Sequence, residues 1–311
     1  MKIFRGKLED LVQNDDLSIA LGTFDGVHRG HQAIIKEAVD IGKEKNIKSA
    51  VLTFDIHPRI FIPEKASPKI ITDNNSKAKI IESLGVDYLF FVNFDESLRD
   101  LEYDRFLKYL VNGMKAKCIV CGYNYKFGKS GLGNTEILKQ YQNILHYDLK
   151  IVDRISFNNE KISSTIIREK ISKGDIKDAN RLLGYSLIAT GEVVSGKCIG
   201  HTIGFPTANI LIDDNLCFKN GVYITLAHID NSIYPSITNI GYTPTIQSNY
   251  RVMETNIFNF SDDIYGKTIT IEFLEFLRGE TKFNSLEELV KRVNKDILTS
   301  KKYFEHTVYN T

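Results

Sequence analysis

Long hydrophobic runs and an excess of charge of either sign are both missing from this chain. No stretch reaches about 18 consecutive apolar residues, the length that a membrane-spanning helix needs. The opening MKIFRGKLEDLVQNDDLS also lacks the apolar segment of a secretory signal. The 40 basic and 39 acidic side chains leave a net charge of +1, too little to attract nucleic acid or an anionic membrane. We therefore expect a cytoplasmic protein without nucleic acid or membrane as a partner; the sequence leaves its oligomeric state open.

Cysteine is scarce as well. Four cysteines among 311 residues are too few for a disulfide scaffold. Cys118 and Cys121 have the CxxC spacing that elsewhere marks a redox pair or half of a zinc site. Here the spacing falls within KCIVCG, which we predict to be a buried strand, and side chains three positions apart on a strand point to opposite faces. We therefore predict neither redox nor metal function for this pair.

The length and the hydrophobic patterning predict two domains. A chain of 311 residues exceeds what one hydrophobic core usually organises. In residues 1–184, short runs that are apolar on both faces alternate with helical segments, which indicates an α/β domain with a parallel sheet. A helix over residues 169–184 closes this half, with Gly184 as its C-cap. In residues 185–311, six β-rich segments precede one amphipathic helix, which predicts a small antiparallel barrel or sandwich with a terminal helix.

The sharpest local feature is GTFDGVHRGHQ, residues 22–32, at the turn from a strand to a helix. Its three glycines let the backbone approach a phosphate closely, and the helix start offers unpaired amides. His28 and His31 lie on one side of that helix start. Protonated or hydrogen-bonding imidazoles there stabilise charge on a phosphate under attack. Two surface histidines at a helix cap are the alternative, which the surrounding glycines and the preceding buried strand disfavour.

A second polar cluster, ISSTIIR, occupies residues 162–168. Its hydroxyls, followed one turn later by a guanidinium, stand at a predicted helix N-terminus. Hydroxyls, amides and a guanidinium form a suitable cradle for phosphate groups. An ordinary serine or threonine N-cap is the alternative. The hydroxyl-bearing residues are Ser163, Ser164 and Thr165, and the guanidinium belongs to Arg168.

Another glycine-rich segment, GKCIGHTIGFPTANI, covers residues 196–210 at the entrance to the β-rich half. Thr207 and Asn209 alternate along a predicted strand, so their side chains emerge on the same face. A hydroxyl and an amide oxygen suit a magnesium ion shared with ATP phosphates. By contrast, GYNYKFGKS at residues 122–130 only superficially evokes a P-loop. Five residues separate its glycines where that loop requires four, so we predict no P-loop.

The first half resembles a known family. GTFDGVHRGHQ is followed by FDIHP (54–58), GYNYKFG (122–128) and ISSTIIR, and this order resembles the FMN adenylyltransferase module of bacterial riboflavin biosynthesis proteins, within the HxGH nucleotidyltransferase superfamily. The resemblance implies a Rossmann-like fold and attack of the FMN phosphate on ATP, which needs no side-chain nucleophile. It implies catalytic roles for His28, His31 and Arg168. It implies that ATP is bound by Gly22, Thr23, Phe24, Asp25, Gly30, Ser163, Ser164 and Thr165. It implies that flavin is bound by Phe54, His57, Pro58, Asn124 and Phe127. The family usually has proline where this chain has Ile56.

The second half resembles riboflavin kinase. GFPTAN, NIGYTPTI (239–246), METNIF and IYGKTITIEFLEFLRGETKF (264–283) stand in that family's order. The resemblance implies that Glu254 accepts the proton of the ribityl 5′-hydroxyl. It also implies ATP binding by Gly196, Lys197, Gly200, His201, Gly204 and Pro206, flavin binding by Arg278, and Mg²⁺ held with ATP by Thr207 and Asn209. The family usually has arginine where this chain has Ile199 and histidine where it has Asn256.

Together the two resemblances imply a bifunctional enzyme whose small-molecule partners are riboflavin, FMN, FAD and ATP. Residues 1–184 are then the adenylyltransferase and residues 185–311 the kinase. Two alternatives stay open at this point. One is a nucleotidyltransferase that acts on another phosphate ester and carries a passive barrel. The other is a noncatalytic flavin-binding regulator in which Ile199 and Asn256 have disabled the kinase.

Overall fold

The computed structural model describes residues 1–61, 68–158, 160–195, 205–244 and 249–306. The chain divides into two compact units. The first comprises residues 1–70 and 77–164, and the second comprises residues 71–76 and 165–311. In the part of the chain that the structure describes, no helix has the length and apolarity required to cross a membrane.

The first unit is built on a sheet of six parallel strands. Along the sheet the strands follow the order β1-β4-β3-β2-β5-β8. Every position of β2 and β4 is buried, as expected for strands that are apolar on both faces. The predicted parallel sheet is therefore confirmed, whereas the sequence analysis missed the two edge strands β1 and β8. The strands of this unit are β1 (Lys2–Gly6), β2 (Leu17–Leu21), β3 (Lys48–Phe54), β4 (Tyr88–Val92), β5 (Ala116–Gly122), β6 (Lys126–Phe127), β7 (Gly133–Asn134), β8 (Asp148–Val152), β9 (Ser156–Phe157) and β10 (Glu160–Lys161).

Seven α-helices precede the β-rich part in the described chain. They are α1 (Arg29–Lys45), α2 (Asn74–Ser83), α3 (Glu96–Arg99), α4 (Tyr103–Lys108), α5 (Thr135–Leu145), α6 (Ser164–Lys173) and α7 (Ile176–Leu183). Short 3-10 helices occupy Leu8–Asp10, Pro58–Phe61 and Lys129–Gly131, and a π-helical turn occupies Tyr109–Gly113. The sequence analysis did not identify α5.

The prediction of one helix over residues 169–184 was wrong, because α6 and α7 are separate helices. Gly174 interrupts them with a φ of +88°, a conformation that ends a helix. A Cβ at this glycine would come within 2.6 Å of the Phe276 ring, so the close approach of that ring also requires glycine. The predicted C-cap is confirmed: Gly184 has a φ of +86°, and its N–H donates to the Asn180 carbonyl.

The second unit contains a closed antiparallel barrel, which decides between the predicted barrel and sandwich. Around the barrel the strands follow the order β11-β12-β15-β14-β13-β16. They are β11 (Ile188–Val194), β12 (Ala208–Leu211), β13 (Gly221–Ile229), β14 (Ser232–Pro244), β15 (Asn249–Ile257) and β16 (Thr268–Gly279). The terminal helix α8 (Leu286–His306) follows, and Ser285 caps its N-terminus: the Glu288 N–H donates to Ser285 Oγ at 3.2 Å.

Alternation along three barrel strands separates a buried layer from a polar outer row. Ile210, Met253 and Ile240 are opposite one another on β12, β15 and β14, and all three are fully buried. Side chains alternate between the two faces of a strand. The residues adjacent to these three, Asn209 on β12, Glu254 on β15 and Asn239 on β14, therefore face the other way. The outer face of these strands therefore carries a row of polar side chains.

Candidate active sites

Three of the predicted strings follow three neighbouring strands at one edge of the sheet in the first unit. GTFDG follows β2, FDIHP begins at the last residue of β3, and GYNYKFG begins at the last residue of β5. Because β3, β2 and β5 are adjacent and parallel, their carboxyl ends share one edge. The chain also changes direction along the sheet between β2 and β5, which is where open α/β sheets bind ligands.

The loop after β2 has an unusual backbone. Phe24 and Val27 have φ values of 46° and 32°, and Gly26 between them has a φ of 75°. The Phe24 ring is fully buried and lies against Gly22, where a Cβ would come within 2.9 Å of the ring. Non-glycine residues in this region are uncommon and concentrate at functional sites. Gly22 is therefore required by the fold of the loop itself.

The two histidines of this loop stack on each other. Their ring centroids are 3.7 Å apart with an interplanar angle of 14°. His28 is the N-cap of α1, and its Nδ1 accepts a hydrogen bond from the His31 N–H at 3.3 Å. Burial, together with the neighbouring charges of His28 and Lys77, lowers the pKa of His31 well below its usual value. His31 is therefore neutral near pH 7, which favours a hydrogen-bonding role over a protonated one.

His31 also carries a polar atom that its protein surroundings leave without a partner. Within the described residues, its Nδ1 is buried and has no hydrogen-bond partner. Buried polar atoms in proteins almost always have partners, contributed by protein, water or ligand. An unpaired nitrogen beside a glycine-rich loop and a helix N-terminus is therefore available to a ligand.

Lys77 is a cation beside this loop that the sequence analysis did not identify. It lies on α2 and is only 7% exposed. Its Nζ donates to the Thr23 carbonyl at 3.3 Å and is 5.9 Å from the centre of the Phe91 ring. Sequence alone gives no signal for it, because no local spacing links Lys77 to a loop more than 50 residues earlier.

The predicted hydroxyl cluster begins at the same loop. The Ser164 hydroxyl donates to the Asp25 carbonyl at 3.0 Å, and Ser164 is the first residue of α6, as the sequence predicted. Asp25 is 3% exposed. Ser163 is half-buried, and Thr165 and Arg168 lie in the first turns of α6, within the second unit.

The residues expected to bind flavin in the first unit fall into two groups. Around β3, the half-buried Phe54 packs edge-on against Phe94 at 5.1 Å, and Phe61 packs against the same ring at 5.6 Å. His57 Nδ1 accepts a hydrogen bond from the Arg59 N–H, and Pro58 opens a 3-10 helix. The sequence analysis missed the aromatic rings at 61 and 94.

The other group follows β5. Asn124 is exposed, whereas Phe127 is 6% exposed and packs in the core against Phe106 and Tyr125, with ring centroids 5.3 and 5.6 Å apart. The second glycine of the string, Gly128, also has a packing role, since a Cβ there would come within 2.9 Å of the Tyr103 backbone. This string therefore shapes the loop after β5 as well as presenting Asn124.

In the second unit, the polar outer row of the barrel contains three of the residues that bear on kinase chemistry. Asn209 on β12 pairs with Glu254 on β15, which in turn pairs with Asn239 on β14. Thr207 immediately precedes β12, and its carbonyl accepts a hydrogen bond from the Asn209 amide at 3.3 Å. All four residues are half-buried. The register thus brings the predicted metal ligands next to the predicted base.

Glu254 has an altered acidity. Burial raises its pKa above the usual value, and a hydrogen bond donated by the Asn239 amide offsets part of that rise. An ionised carboxylate with a raised pKa is a stronger base than an exposed one. Glu254 is therefore suited to accept a proton from a hydroxyl.

Asn256, which replaces the family's usual histidine, is also engaged in this region. Its amide donates to the Pro206 carbonyl at 2.7 Å, at the start of the segment that carries Thr207. The other residues predicted to bind ATP in this half lie outside the described residues. They are Gly196, Lys197, Gly200, His201 and Gly204, and Ile199 lies there too.

Arg278, predicted to bind flavin, is committed to an ion pair. Its Nε and Nη2 donate to Asp296 Oδ2 at 2.8 and 2.7 Å. Asp296 lies on α8, is 4% exposed and also contacts Arg292. Arg278 therefore fastens the terminal helix to β16, and its role in flavin binding stays a prediction.

Few groups in the described chain have the chemistry of a metal centre. No cluster of three or more histidine, cysteine, aspartate or glutamate residues with metal-binding geometry occurs among residues that the structure describes. Cys118 and Cys121 are unpaired and buried on β5, and burial raises their thiol pKa values to about 11 and about 12. By contrast, the hydroxyl, amide and carboxylate oxygens of Thr207, Asn209 and Glu254 are the hard ligands that a divalent cation prefers.

Two protein families match the chain in succession. FAD synthetase matches residues 11–166, and riboflavin kinase matches residues 183–304. A bifunctional riboflavin kinase/FMN adenylyltransferase from Listeria monocytogenes is 36% identical over 289 residues, which cover 92% of each chain. The chain belongs to the bifunctional riboflavin kinase/FMN adenylyltransferase family.

Further relatives extend this assignment. The family member from Bacillus subtilis is 35% identical over 297 residues, covering 93% of this chain and 92% of its own. A crystal structure described as a macrolide-efflux protein from Streptococcus pneumoniae superposes with a TM-score of 0.81 at 31% identity, over 96% of this chain and 98% of that one. The predicted family is confirmed. Its first matched segment contains strands β2 to β10, and its second contains the barrel.

Proposed function

We propose that this chain makes both flavin cofactors. The barrel phosphorylates riboflavin to FMN, and the parallel-sheet unit adenylylates FMN to FAD. The observation that carries the proposal is the succession of two family matches, FAD synthetase and then riboflavin kinase, along one chain. Each matched segment also contains its own group of polar residues suited to phosphate chemistry. Both reactions consume ATP, so we place the protein in the cytoplasm, with the functional boundary between residues 184 and 185.

In the adenylylation step, a phosphate oxygen of FMN attacks the α-phosphorus of ATP, and pyrophosphate leaves. His28 and the neutral His31 donate hydrogen bonds to the phosphate oxygens as negative charge builds on them. Lys77 adds a positive charge beside the Thr23 carbonyl. Ser163 and Ser164 receive the leaving pyrophosphate, and the helix N-terminus at Ser164 supports this role.

In the phosphorylation step, the 5′-hydroxyl oxygen of riboflavin attacks the γ-phosphorus of ATP, and ADP leaves. Glu254 accepts the hydroxyl proton as the new bond forms. Thr207 and Asn209 hold a divalent cation, which we take to be Mg²⁺ and which neutralises the phosphate charge when bound. The pairing of Asn209 with Glu254 supports these roles, because it places ligand and base on adjacent strands.

Product analysis tests this proposal. Purified protein is incubated with riboflavin, ATP and magnesium, and the flavins are separated. FMN together with FAD is the expected result. FAD formed only from supplied FMN would leave a monofunctional adenylyltransferase with a passive barrel. Absence of both products in a protein that still binds flavin would favour the regulator, and omission of the metal is expected to stop both reactions.

A further inference from the structure

Thr53 is a buried polar residue beside the loop after β2, and no step of the two reactions described above uses it. It is the second-last residue of β3 and is fully buried. Its hydroxyl donates a hydrogen bond to the Thr23 carbonyl at 2.9 Å. Because β2 and β3 are neighbours in the sheet, this bond joins the end of one strand to the loop that follows the other.

The start of this loop is attached to β3 at two successive points. The parallel register of β2 and β3 runs as far as Leu21 and Leu52. One residue further, the Gly22 N–H donates to the Leu52 carbonyl at 3.3 Å. The backbone then leaves the sheet, since Phe24 has a φ of 46°, which no strand residue adopts. Where strand pairing ends, the Thr53 side chain supplies the hydrogen bond for the next carbonyl of the loop.

A second donor reaches the same carbonyl from α2. Lys77 Nζ donates to the Thr23 carbonyl at 3.3 Å, and Lys77 is 7% exposed. Phe91, which pairs with Thr53 across β3 and β4, is fully buried, and its ring centre is 5.9 Å from Lys77 Nζ. A carbonyl oxygen has two lone pairs and can accept both bonds. The Thr23 carbonyl is thus held by one donor from the sheet and one from a helix.

The direction of this carbonyl determines the path of the loop. A peptide unit is planar and trans, so a fixed Thr23 carbonyl also fixes the direction of the Phe24 N–H. Phe24, Gly26 and Val27 then adopt positive φ values. Non-glycine residues keep such conformations only where their surroundings hold them. His28 follows directly and caps α1, so a displaced peptide at Thr23 would displace the His28 imidazole as well.

We propose that Thr53 is a positioning residue of the adenylyl-transfer site. Its hydroxyl, together with the Lys77 ammonium, holds the Thr23 carbonyl and thereby keeps His28 in place. This inference rests on the proposed adenylylation of FMN by the first unit. In this role Thr53 touches neither ATP nor FMN and acts through the loop alone, from an element of the sheet that does not move.

The test compares FAD formation by full-length variants of residue 53 supplied with FMN, ATP and magnesium. Thr53→Val keeps the shape of the side chain and removes the hydroxyl, so kcat should fall by about tenfold. This loss is smaller than the roughly 10²-fold cost of a misplacement of about 1 Å, because Lys77 still donates to the carbonyl. The KM for FMN should change by less than about twofold, because the displaced histidine acts on charge that develops only during the reaction.

Serine and alanine at the same position separate the hydroxyl from the packing of the side chain. Thr53→Ser keeps the hydroxyl but removes a buried methyl group, which leaves a cavity in the sheet. Its kcat should nevertheless stay within about threefold of the unaltered protein. Thr53→Ala lacks only the hydroxyl of the serine variant and should be about tenfold slower than it. This second pair carries the test should valine unfold the first unit.

Ser49→Ala is the matched control on the same strand. Ser49 lies four residues before Thr53, on the same face of β3, and is 3% exposed. Its hydroxyl donates to Asp87 Oδ2 at 2.8 Å, at the end of β3 away from the loop. The variant therefore loses a buried, hydrogen-bonded hydroxyl without a change at Thr23, and its kcat should stay within about twofold. FMN formation from riboflavin should be unchanged in every variant.

The outcomes separate a positioning role from a structural one. Equal rates in the valine and serine variants would overturn the role of the hydroxyl. A loss in Ser49→Ala as large as in Thr53→Val would reduce the effect to a general weakening of the sheet, and a raised KM for FMN at unchanged kcat would contradict positioning of His28. If the unaltered protein forms no FAD from FMN and ATP, the proposed adenylylation itself fails, and the role of Thr53 fails with it.

Discussion

The two proposed phosphate sites of this chain are built from different materials. In the first unit the site consists of a tightly folded loop, with Phe24 and Val27 at positive φ, and of a helix start capped by His28. In the barrel the site consists of side chains contributed in register by neighbouring strands, Asn209, Glu254 and Asn239. One site depends on where the backbone runs, and the other depends on which polar atoms the strands carry.

This difference predicts different vulnerabilities. A site made by the backbone should fail when an added atom displaces the loop, even if the added atom is chemically inert. A site made by side chains should tolerate inert additions nearby but fail when one polar atom is exchanged for another of the same size. Because both sites are in one chain, each reaction serves as a control for the other.

The largest effect is expected for Glu254→Gln, which keeps the shape of the side chain and removes its ability to accept a proton. FMN formation should fall by about 10² to 10⁴-fold, the usual contribution of a general base. FAD formation from supplied FMN should stay at the level of the unaltered protein. Kinase rates near those of the unaltered protein in this variant would remove Glu254 from the role of base.

His28→Ala is the counterpart in the first unit. It removes a hydrogen-bond donor and the N-cap that accepts from the His31 N–H. FAD formation should fall by about 10² to 10³-fold, as for other preorganised donors, while FMN formation continues. Loss of both activities in a folded variant would contradict two separate sites.

Gly22→Ala tests the dependence of the first site on its backbone. The added methyl would lie 2.9 Å from the buried Phe24 ring, so the ring and the loop must move. Because a misplacement of about 1 Å can cost about 10²-fold in rate, we expect FAD formation to fall by roughly 30-fold. Gly113→Ala is the matched control, since an added Cβ there meets nothing within 4 Å. Equal losses in both variants would count against a loop-specific effect.

Much of the fold could be predicted because its signals are local. Strands β2 and β4 are buried at every position, and a run that is apolar on both faces is visible in the sequence. The edge strands β1 and β8 have exposed positions and mixed polarity, so they lack that signal. The break between α6 and α7 at Gly174 was missed because a single glycine is often tolerated within a helical pattern. Here the glycine is required by the Phe276 ring, which is about 100 residues away in sequence and packs against it.

The sites divide in the same way. The glycines and histidines of the first site lie within one short segment, so their spacing could be recognised in the sequence. Lys77 and Asn239 contact residues far along the chain, and no spacing within one segment points to either. Register between strands decides which side chain faces Glu254, and register is a property of the assembled barrel.

Lys77→Met tests the contribution of charge, rather than of backbone shape, to the site in the first unit. The variant keeps the length of the side chain but loses the ammonium that donates to the Thr23 carbonyl. We expect FAD formation to fall by about tenfold, corresponding to about 1.4 kcal/mol of transition-state stabilisation. Steady-state kinetics with FMN and ATP measures this, with Lys79→Met on the same helix as the control. A rate unchanged by Lys77→Met would confine the site to the loop and the histidines.

The smallest effect is expected for Asn256→Leu, which changes an asparagine two residues beyond Glu254 on the same strand. The Asn256 amide donates a hydrogen bond to the Pro206 carbonyl, whereas the Asn239 amide donates to the Glu254 carboxylate. A neutral hydrogen bond contributes about 0.5 to 1.5 kcal/mol, so the KM for ATP in FMN formation should rise by about threefold. The acidic limb of the pH profile should not move, because the pKa of Glu254 does not depend on this bond. An acidic limb that moves in Asn256→Leu would mean that Asn256 also acts on the Glu254 carboxylate, and the polar side chains of these strands would then form one coupled network rather than separate contacts.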